Sequence, residues 1–252
     1  VAGNDPSSVE RLQEDIIDCI EVDDGKVTQA ATGCCVELVQ HDSEMFHEHT
    51  PLFAALLDVD NQTTRKNAEY VLCILAEDYP EEVMPAVDEV ISMIEEGSSN
   101  SNKTSFLGKV TQHYPDSTVE HVDVIEGALE ESEDDMTRAN IIGVLADIAQ
   151  EHPEEVADSA GTVGKYLTHD DRTVRYNSCS LFERVSDASS EDVEPFVEEL
   201  IHLLDDEDEE IRLKTVYTLG EIRAEEALEK LKKISSEDSS ERVQELAERA
   251  AH

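Results

Sequence analysis

Tryptophan is absent from the 252 residues, aromatic side chains make up 4% of them, and lysine occurs nine times. Nineteen Lys and Arg stand against 61 Asp and Glu, which gives a formal charge of −42 at neutral pH. So few cations exclude the basic patches on which nonspecific binding to a phosphate backbone depends, and no direct nucleic-acid contact is expected. No apolar run approaches the roughly 20 residues of a membrane-spanning helix, so no membrane contact is expected either. Val71–Ala76 is among the longest such runs. Ten glycines and seven prolines rule out collagen-like and Gly-rich linker compositions. None of the five cysteines forms a C-x-x-C pair, and the adjacent Cys34 and Cys35 are badly placed for an ordinary disulfide or a zinc knuckle. Cys19, Cys34, Cys35 and Cys73 lie in apolar helical stretches. They are expected to be small buried hydrophobes in a reducing, cytoplasmic setting. Residues 1–8 form a polar segment, and Val1–Glu10 holds no apolar stretch of a secretory signal. The absence of an initiator methionine is consistent with processing or truncation.

What is present is acid, spread along the chain rather than gathered in a tail. Such an excess repels itself in a compact state. A medium of molar salt reconciles it with folding, because the screening length there falls to about 3 Å. The even acid, scarce lysine and few aromatics resemble those of haloarchaeal cytoplasmic proteins. The alternative is a nucleic-acid mimic, an acidic decoy that occupies a basic protein. The apolar content of 39% and its clear periodicity argue against disorder. The acid excess also stops short of the C-terminus. Residues 211–252 hold eight Lys and Arg against nine Asp and Glu, a net of −1, which leaves −41 on residues 1–210. These less acidic C-terminal units could provide a second contact around Arg223, Lys230, Lys232 and Lys233, beside Arg212 and Lys214.

Internal repeats organise the chain. Residues Thr64–Val83 (TRKNAEYVLCILAEDYPEEV) and Thr137–Val156 (TRANIIGVLADIAQEHPEEV) agree at ten of 20 positions without a gap, at an offset of 73. That offset is two periods of 36 or 37. The intermediate unit is more degraded, with Asn102–Pro115 matching Asn67–Pro80 at an offset of 35. Each unit carries two helical patterns. In the first, Val87, Val90 and Ile94 step by three and then four, as do Val122, Ile125 and Leu129; Ala160, Val163 and Leu167; and Val197, Leu200 and Leu204. In the second, Ala68, Val71, Leu72 and Leu75 correspond to Ile141, Val144, Leu145 and Ile148. They correspond also to Ser178, Leu181, Phe182 and Val185, and to Thr215, Thr218, Leu219 and Ile222. This spacing places each set on one helix face.

Helix starts have local causes. Pro80, Pro115 and Pro153 are expected to open first helices, where a missing N–H costs nothing. Ser7-x-x-Glu10 and Ser117-x-x-Glu120 fit capping boxes. Asp134–Asp135, Asp170–Asp171 and Asp206 precede second helices. Gly97–Ser105, Ser186–Asp192 and Ser235–Ser240 read as polar loops. The expected architecture is all-α: about seven antiparallel helix pairs in a single α-solenoid over 1–252, from Val9–Gln40 to an end near Ala251.

The run Asp206–Ile222, with Asp170–Val185 and Asp134–Ile148 behind it, resembles HEAT repeats. The last unit, continuing into Ala224–Lys233 (AEEALEKLKK), is similar to the short phycobilisome-lyase-type variant of that repeat. The resemblance implies a superhelix whose second helices line a concave side. It also implies a structural role for Arg65, Arg138, Arg175 and Arg212, each bonding an acid of the adjoining unit, with an anion-binding row as the alternative. The Asn102 unit lacks this arginine, and the first unit has Thr28 in its place.

Asn67, Asn102, Asn140 and Asn177 recur at one repeat position, with Lys214 fifth. At about 100° per residue this position lies about 90° from the centre of the apolar stripe, at the edge of the core. Asparagine there can fix superhelical pitch through inter-repeat hydrogen bonds. It can also donate to and accept from an extended peptide backbone, as the ladder of the related armadillo repeats does. No phosphate-loop, dinucleotide-binding, nucleophile-elbow or zinc-protease motif occurs, and acid pairs such as Glu81–Glu82 and Glu154–Glu155 read as solvated faces. A HEAT-like hydroxylase holds irons with repeated His-Glu pairs. Here His47–Glu48 alone has that order, while Glu48–His49, Glu120–His121 and Glu151–His152 are reversed and out of register. The resulting expectation is a non-enzymatic, cytoplasmic scaffold or adaptor that binds a protein or extended peptide, without cofactor or metal. The rivals are the acidic decoy, a degenerate HEAT-type lyase or hydroxylase relative, and a subunit that supports an assembly.

Overall fold

The structure, a computed structural model, describes residues 6–251 and the side chains of residues 12–251. The described residues form seven helix pairs and no strand. They group into two compact units, 1–117 and 118–252. Unit 1 holds α1 (Pro6–Ile20) with α2 (Gly25–Val39), α3 (Thr50–Ala55) with α4 (Gln62–Asp78), and α5 (Val87–Glu95) with α6 (Ser101–Thr111). Unit 2 holds α7 (Val122–Glu131) with α8 (Asp135–Ile148), and α9 (Ser159–Val163) with α10 (Arg172–Ser186). It continues with α11 (Ser190–Val193) and α12 (Val197–Leu203) before α13 (Glu209–Glu221), and ends with α14 (Leu228–Glu237) and α15 (Glu241–Ala250). Within each unit the pairs stack in chain order as an α-solenoid. In unit 1 α2 packs on α4 and α4 on α6; in unit 2 α8 packs on α10, α10 on α13 and α13 on α15.

The two helix types start differently. Every second helix opens on a capping side chain that accepts from the first-turn N–H groups. The caps are Asp24, Asn61, Asn100, Asp134, Asp171, Asp208 and Ser240. Satisfying these otherwise unpaired donors contributes about 1 kcal/mol per helix. First helices from α3 onward have no side-chain cap hydrogen bond, and 3-10 turns lead into most of them. Pro80 lies in a turn ahead of the 3-10 segment Met84–Ala86, Pro115 opens Pro115–Ser117, and Pro153 opens Pro153–Val156. The prolines thus start turns several residues upstream of the α-helices they were expected to open. The extra turn tucks Val83, Thr118 and Val156 into the core, each at 0% exposure.

Ser117 caps nothing. Its hydroxyl donates to the Tyr114 carbonyl at 2.7 Å, and α7 begins five residues later. Ser7 and Glu10 lie outside the described side chains. Asp206 precedes α13 as expected and Asp208 caps it; Asp206 accepts from the Asp208 N–H at 2.9 Å and pairs with Arg175.

The apolar stripes meet along the stack. Phe46, Phe53, Phe106 and Phe182 are fully buried with Leu57, Leu72, Leu107 and Leu129. Each such side chain contributes about 1.5–3 kcal/mol. Three hydroxyls that enter the core are paired locally: Ser178, Thr215 and Thr218 donate to the carbonyls of Val174, Ile211 and Lys214 at 2.7–2.9 Å. Between the fifth and sixth pairs the Phe196 ring, edge-on to Phe182 at 5.3 Å, lies against Gly164. A Cβ there would come within 2.0 Å of that ring.

Two cysteines depart from expectation. Cys35, Cys73 and Cys179 are buried, but Cys19 and Cys34 are exposed. Adjacent helical residues point about 100° apart, so Cys34 and Cys35 cannot both face the core. Burial pushes the Cys179 thiol up to about 12, and burial with neighbouring Cys34 does the same to Cys35.

Candidate functional site

The positions singled out by the repeats lie on the second helices, which place them one repeat apart. Arg65, Arg138, Arg175 and Arg212 share one contact: each guanidinium donates to the carbonyl six residues earlier, of Val59, Ser132, His169 and Asp206 respectively. The bond ties the loop between paired helices to the second helix. Arg175 reaches onward to Asp206 of the next pair at 2.8 Å, and Arg212 to Asp238 at 2.9 and 3.0 Å. Arg138 instead pairs with Asp135 on its own helix at 2.6 Å. The Arg212 and Asp238 side chains are 9% and 7% exposed. Burial alone would raise the Asp238 carboxyl, but hydrogen bonds from Arg212 and the Ser240 N–H outweigh it and hold the group below the usual carboxylate range. Asp208, bonded by exposed Arg172 and by the Ile211 and Glu210 N–H groups, is lowered too.

The asparagine row faces neighbouring helices at its ends. The Asn67 amide donates to Thr32 Oγ1 on α2 at 3.1 Å, and the Asn177 amide to the Ala139 carbonyl on α8 at 2.7 Å. Gly143 leaves room for Asn177, whose Nδ2 would lie 3.1 Å from an added Cβ. Asn102 and Asn140 are half-buried on α6 and α8. Lys214, fifth in the row, pairs with Glu183 at 2.5 Å and lies 5.3 Å from the centre of the Tyr176 ring.

Two features escaped the sequence reading. One is a second cation row. Lys109 donates to the Cys73 carbonyl at 2.8 Å and pairs with Glu77 at 3.1 Å. Arg184 donates to the Ala146 carbonyl, to Asp147 at 3.3 Å and to Gln150 at 3.3 Å. Cys73 and Ala146, like Glu77 and Gln150, are 73 residues apart, so the duplicated offset carries the contact with it. Both cations stand seven residues after the row asparagine, two helical turns along the same edge, and that spacing was available as a signal. Burial raises Asp147 in spite of Arg184.

The other feature is the buried pair Lys103–Glu69 at 2.9 Å, with side chains 1% and 4% exposed. The Asn100 amide donates to the second Glu69 oxygen at 3.1 Å. Lys103 stands where Ala68, Ile141, Ser178 and Thr215 stand in other units, and a charge on the apolar stripe was its signal.

Of the histidines, His47 stacks on Tyr79 with ring centres 4.5 Å apart, and the Gln13 amide nitrogen lies 3.2 Å from His49 Nε2. Among the described residues no group of three or more His, Cys, Asp or Glu is arranged to hold a metal ion. No described helix is long and apolar enough to cross a membrane.

The family profile for HEAT repeats matches residues 162–251. A crystal structure of an engineered protein aligns with 94% of this chain and 67% of its own, at a TM-score of 0.80 and 17% identity. A computationally designed armadillo repeat protein for modular peptide recognition aligns over 80% of this chain and 98% of its own, at 0.71 and 17%. A designed armadillo repeat protein in complex with the peptide (KR)4 gives 0.67 and 16%, over 80% and 97%. At these identities the likeness shows the fold alone. No curated protein matches the chain.

Proposed function

We propose that the chain is a non-enzymatic HEAT-type scaffold or adaptor that holds an extended segment of another protein along its second helices, in a cytoplasm of molar salt. The observation that carries this reading is the row at Asn67, Asn102, Asn140, Asn177 and Lys214. It repeats one polar position on successive second helices in a fold shared with designed peptide-recognising repeats. A peptide backbone presents donors and acceptors in a regular series, and within each unit amides one repeat apart, Asn67 with Asn102 and Asn140 with Asn177, can donate to it and accept from it. On the second helices Glu77, Asp147 and Glu183 are paired with Lys109, Arg184 and Lys214, and in molar salt short-range hydrogen bonds and apolar contact carry affinity rather than long-range charge.

The test is a peptide-library screen of the full chain in about 2 M KCl, where the screening length is below about 3 Å. The selected peptides are then titrated into the Asn140→Ala/Asn177→Ala variant. A melting temperature lowered by no more than about 5 °C, with binding at least about tenfold weaker, supports the reading. Unchanged binding overturns it, and binding that collapses steeply with salt would assign the chain to the acidic-decoy class.

A further inference from the structure

We infer that the cleft between the C-terminal ends of α13 and α15 and the start of α14 docks a short acidic segment of another protein, one that sets an aliphatic side chain beside a carboxylate. The cleft has a volume of about 740 Å³, and Tyr217, Gly220, Arg223, Leu228, Leu246 and Arg249 line it. It does not depend on the asparagine row.

Backbone strain marks the place. Arg223 has φ of 52°, and among the described residues it is the one non-glycine with positive φ. Its N–H bonds the Gly220 carbonyl at 3.1 Å, and the Ala224 N–H bonds the Leu219 carbonyl at 3.0 Å. Those two bonds form the helix-end motif whose left-handed residue is ordinarily glycine. An arginine kept where glycine is unstrained points to a use for its side chain.

Charge supplies the second argument. In the other large clefts the cations are engaged: Arg175 with Asp206, Arg212 with Asp238, Lys230 with Asp205 and Lys233 with Glu237. Lys232 pairs with Glu229. The cleft around Val39, Asp42, Glu77 and Asp78 has no Lys or Arg in its lining. Arg223 and Arg249 are exposed and make no ion pair among the described residues, and they balance the lining acids Glu221 and Glu225. Residues 211–252 carry a net charge of −1 against −41 on residues 1–210, so an anionic partner meets less repulsion here than over the rest of the chain taken together. Two guanidiniums grip carboxylates through paired N–H donors, and half-buried Leu228 and Leu246 give the neighbouring aliphatic side chain a wall.

The experiment titrates the full chain, in the lowest salt that preserves its helical circular dichroism, into a fluorescein-labelled, C-terminally amidated peptide of alternating leucine and glutamate. The control replaces glutamate by glutamine. Saturable binding about tenfold tighter for the glutamate peptide is expected, falling at least about fivefold in Arg249→Gln. Arg223→Gly separates binding from folding, because it should weaken binding similarly while raising the melting temperature. Equal affinity for the two peptides overturns the proposal, as does an Arg223→Gly protein that melts higher and binds unchanged. A wild-type dimer that Arg249→Gln returns to monomer in sedimentation would give the cleft to a second copy and overturn the assigned partner.

Discussion

The first junction of unit 1 and the last junctions of unit 2 join their helix pairs by different means. In unit 1 the α2–α4 junction is bridged by neutral hydrogen bonds, Asn67 to Thr32 and Asn61 to Gln29, and the α4–α6 junction by the buried Lys103–Glu69 pair and by Lys109. In unit 2 the later junctions are ionic: Arg175–Asp206, Arg172–Asp208 and Lys214–Glu183 between α10 and the α12–α13 segment, then Arg212–Asp238 and Arg242–Glu209/Glu210 toward α15. These bridges differ in worth. Solvent screens the exposed Arg172 and Arg242 pairs, which contribute little, whereas removing one partner of a buried pair costs about 3–5 kcal/mol. Each second-helix junction inside a unit therefore carries a polar link, but not at one fixed position. Where unit 1 lacks the repeat arginine, Lys103 takes up the task from the core side.

The largest effect expected is loss of the fold in low salt. At about 0.1 M the charges feel one another over about 10 Å, so the helical circular dichroism should collapse on dialysis from molar salt. Amide exchange during the titration should show α14 and α15, in the segment of net charge −1, opening last. Unchanged dichroism at that salt would remove the case for salt adaptation.

Next comes Lys103→Ala, which strands Glu69 without its counter-charge and should cost about 3–5 kcal/mol by denaturant melting. The double change Lys103→Met/Glu69→Leu should return stability to within about 1–2 kcal/mol of wild type, because apolar isosteres often replace buried ion pairs without loss. Failure of that rescue would mean the pair specifies the α4–α6 junction.

Asp238→Asn in unit 2 should cost about 2 kcal/mol, the worth of a hydrogen bond to a charged group. That difference depends on pH with a defined sign. The Asp238 carboxyl is lowered in the folded protein, so its contribution is complete above the ordinary carboxylate range near pH 4 and is lost as pH falls through the lowered value. Wild type and variant should converge in acid. The smallest effect is Asn177→Ala alone, which removes one 2.7 Å bond to the α8 backbone and should cost about 1 kcal/mol.

Much of this was legible in the sequence because α-solenoid physics is local. The apolar steps at Val122, Ile125 and Leu129, or at Ile141, Val144, Leu145 and Ile148, are buried as the helical period requires. Asp134 and Asp171 cap the helices they precede. First-helix boundaries were not legible. They are set by 3-10 turns that bury Val83, Thr118 and Val156 without a capping side chain, so tertiary packing decides them. The asparagine row was visible as a spacing, but its partners, Thr32 and the Ala139 carbonyl, are 35 and 38 residues away and follow from stacking register. The strain at Arg223 had no sequence signal, because nothing in ILE-ARG-ALA announces a left-handed turn.

The most direct test is hydrogen–deuterium exchange of the full chain in molar salt, with and without a library-selected peptide. Binding along the second helices predicts new protection in consecutive second helices, α8, α10 and α13, with α7, α9 and α12 unchanged. Protection confined to the first helices or to the loops between pairs would contradict it.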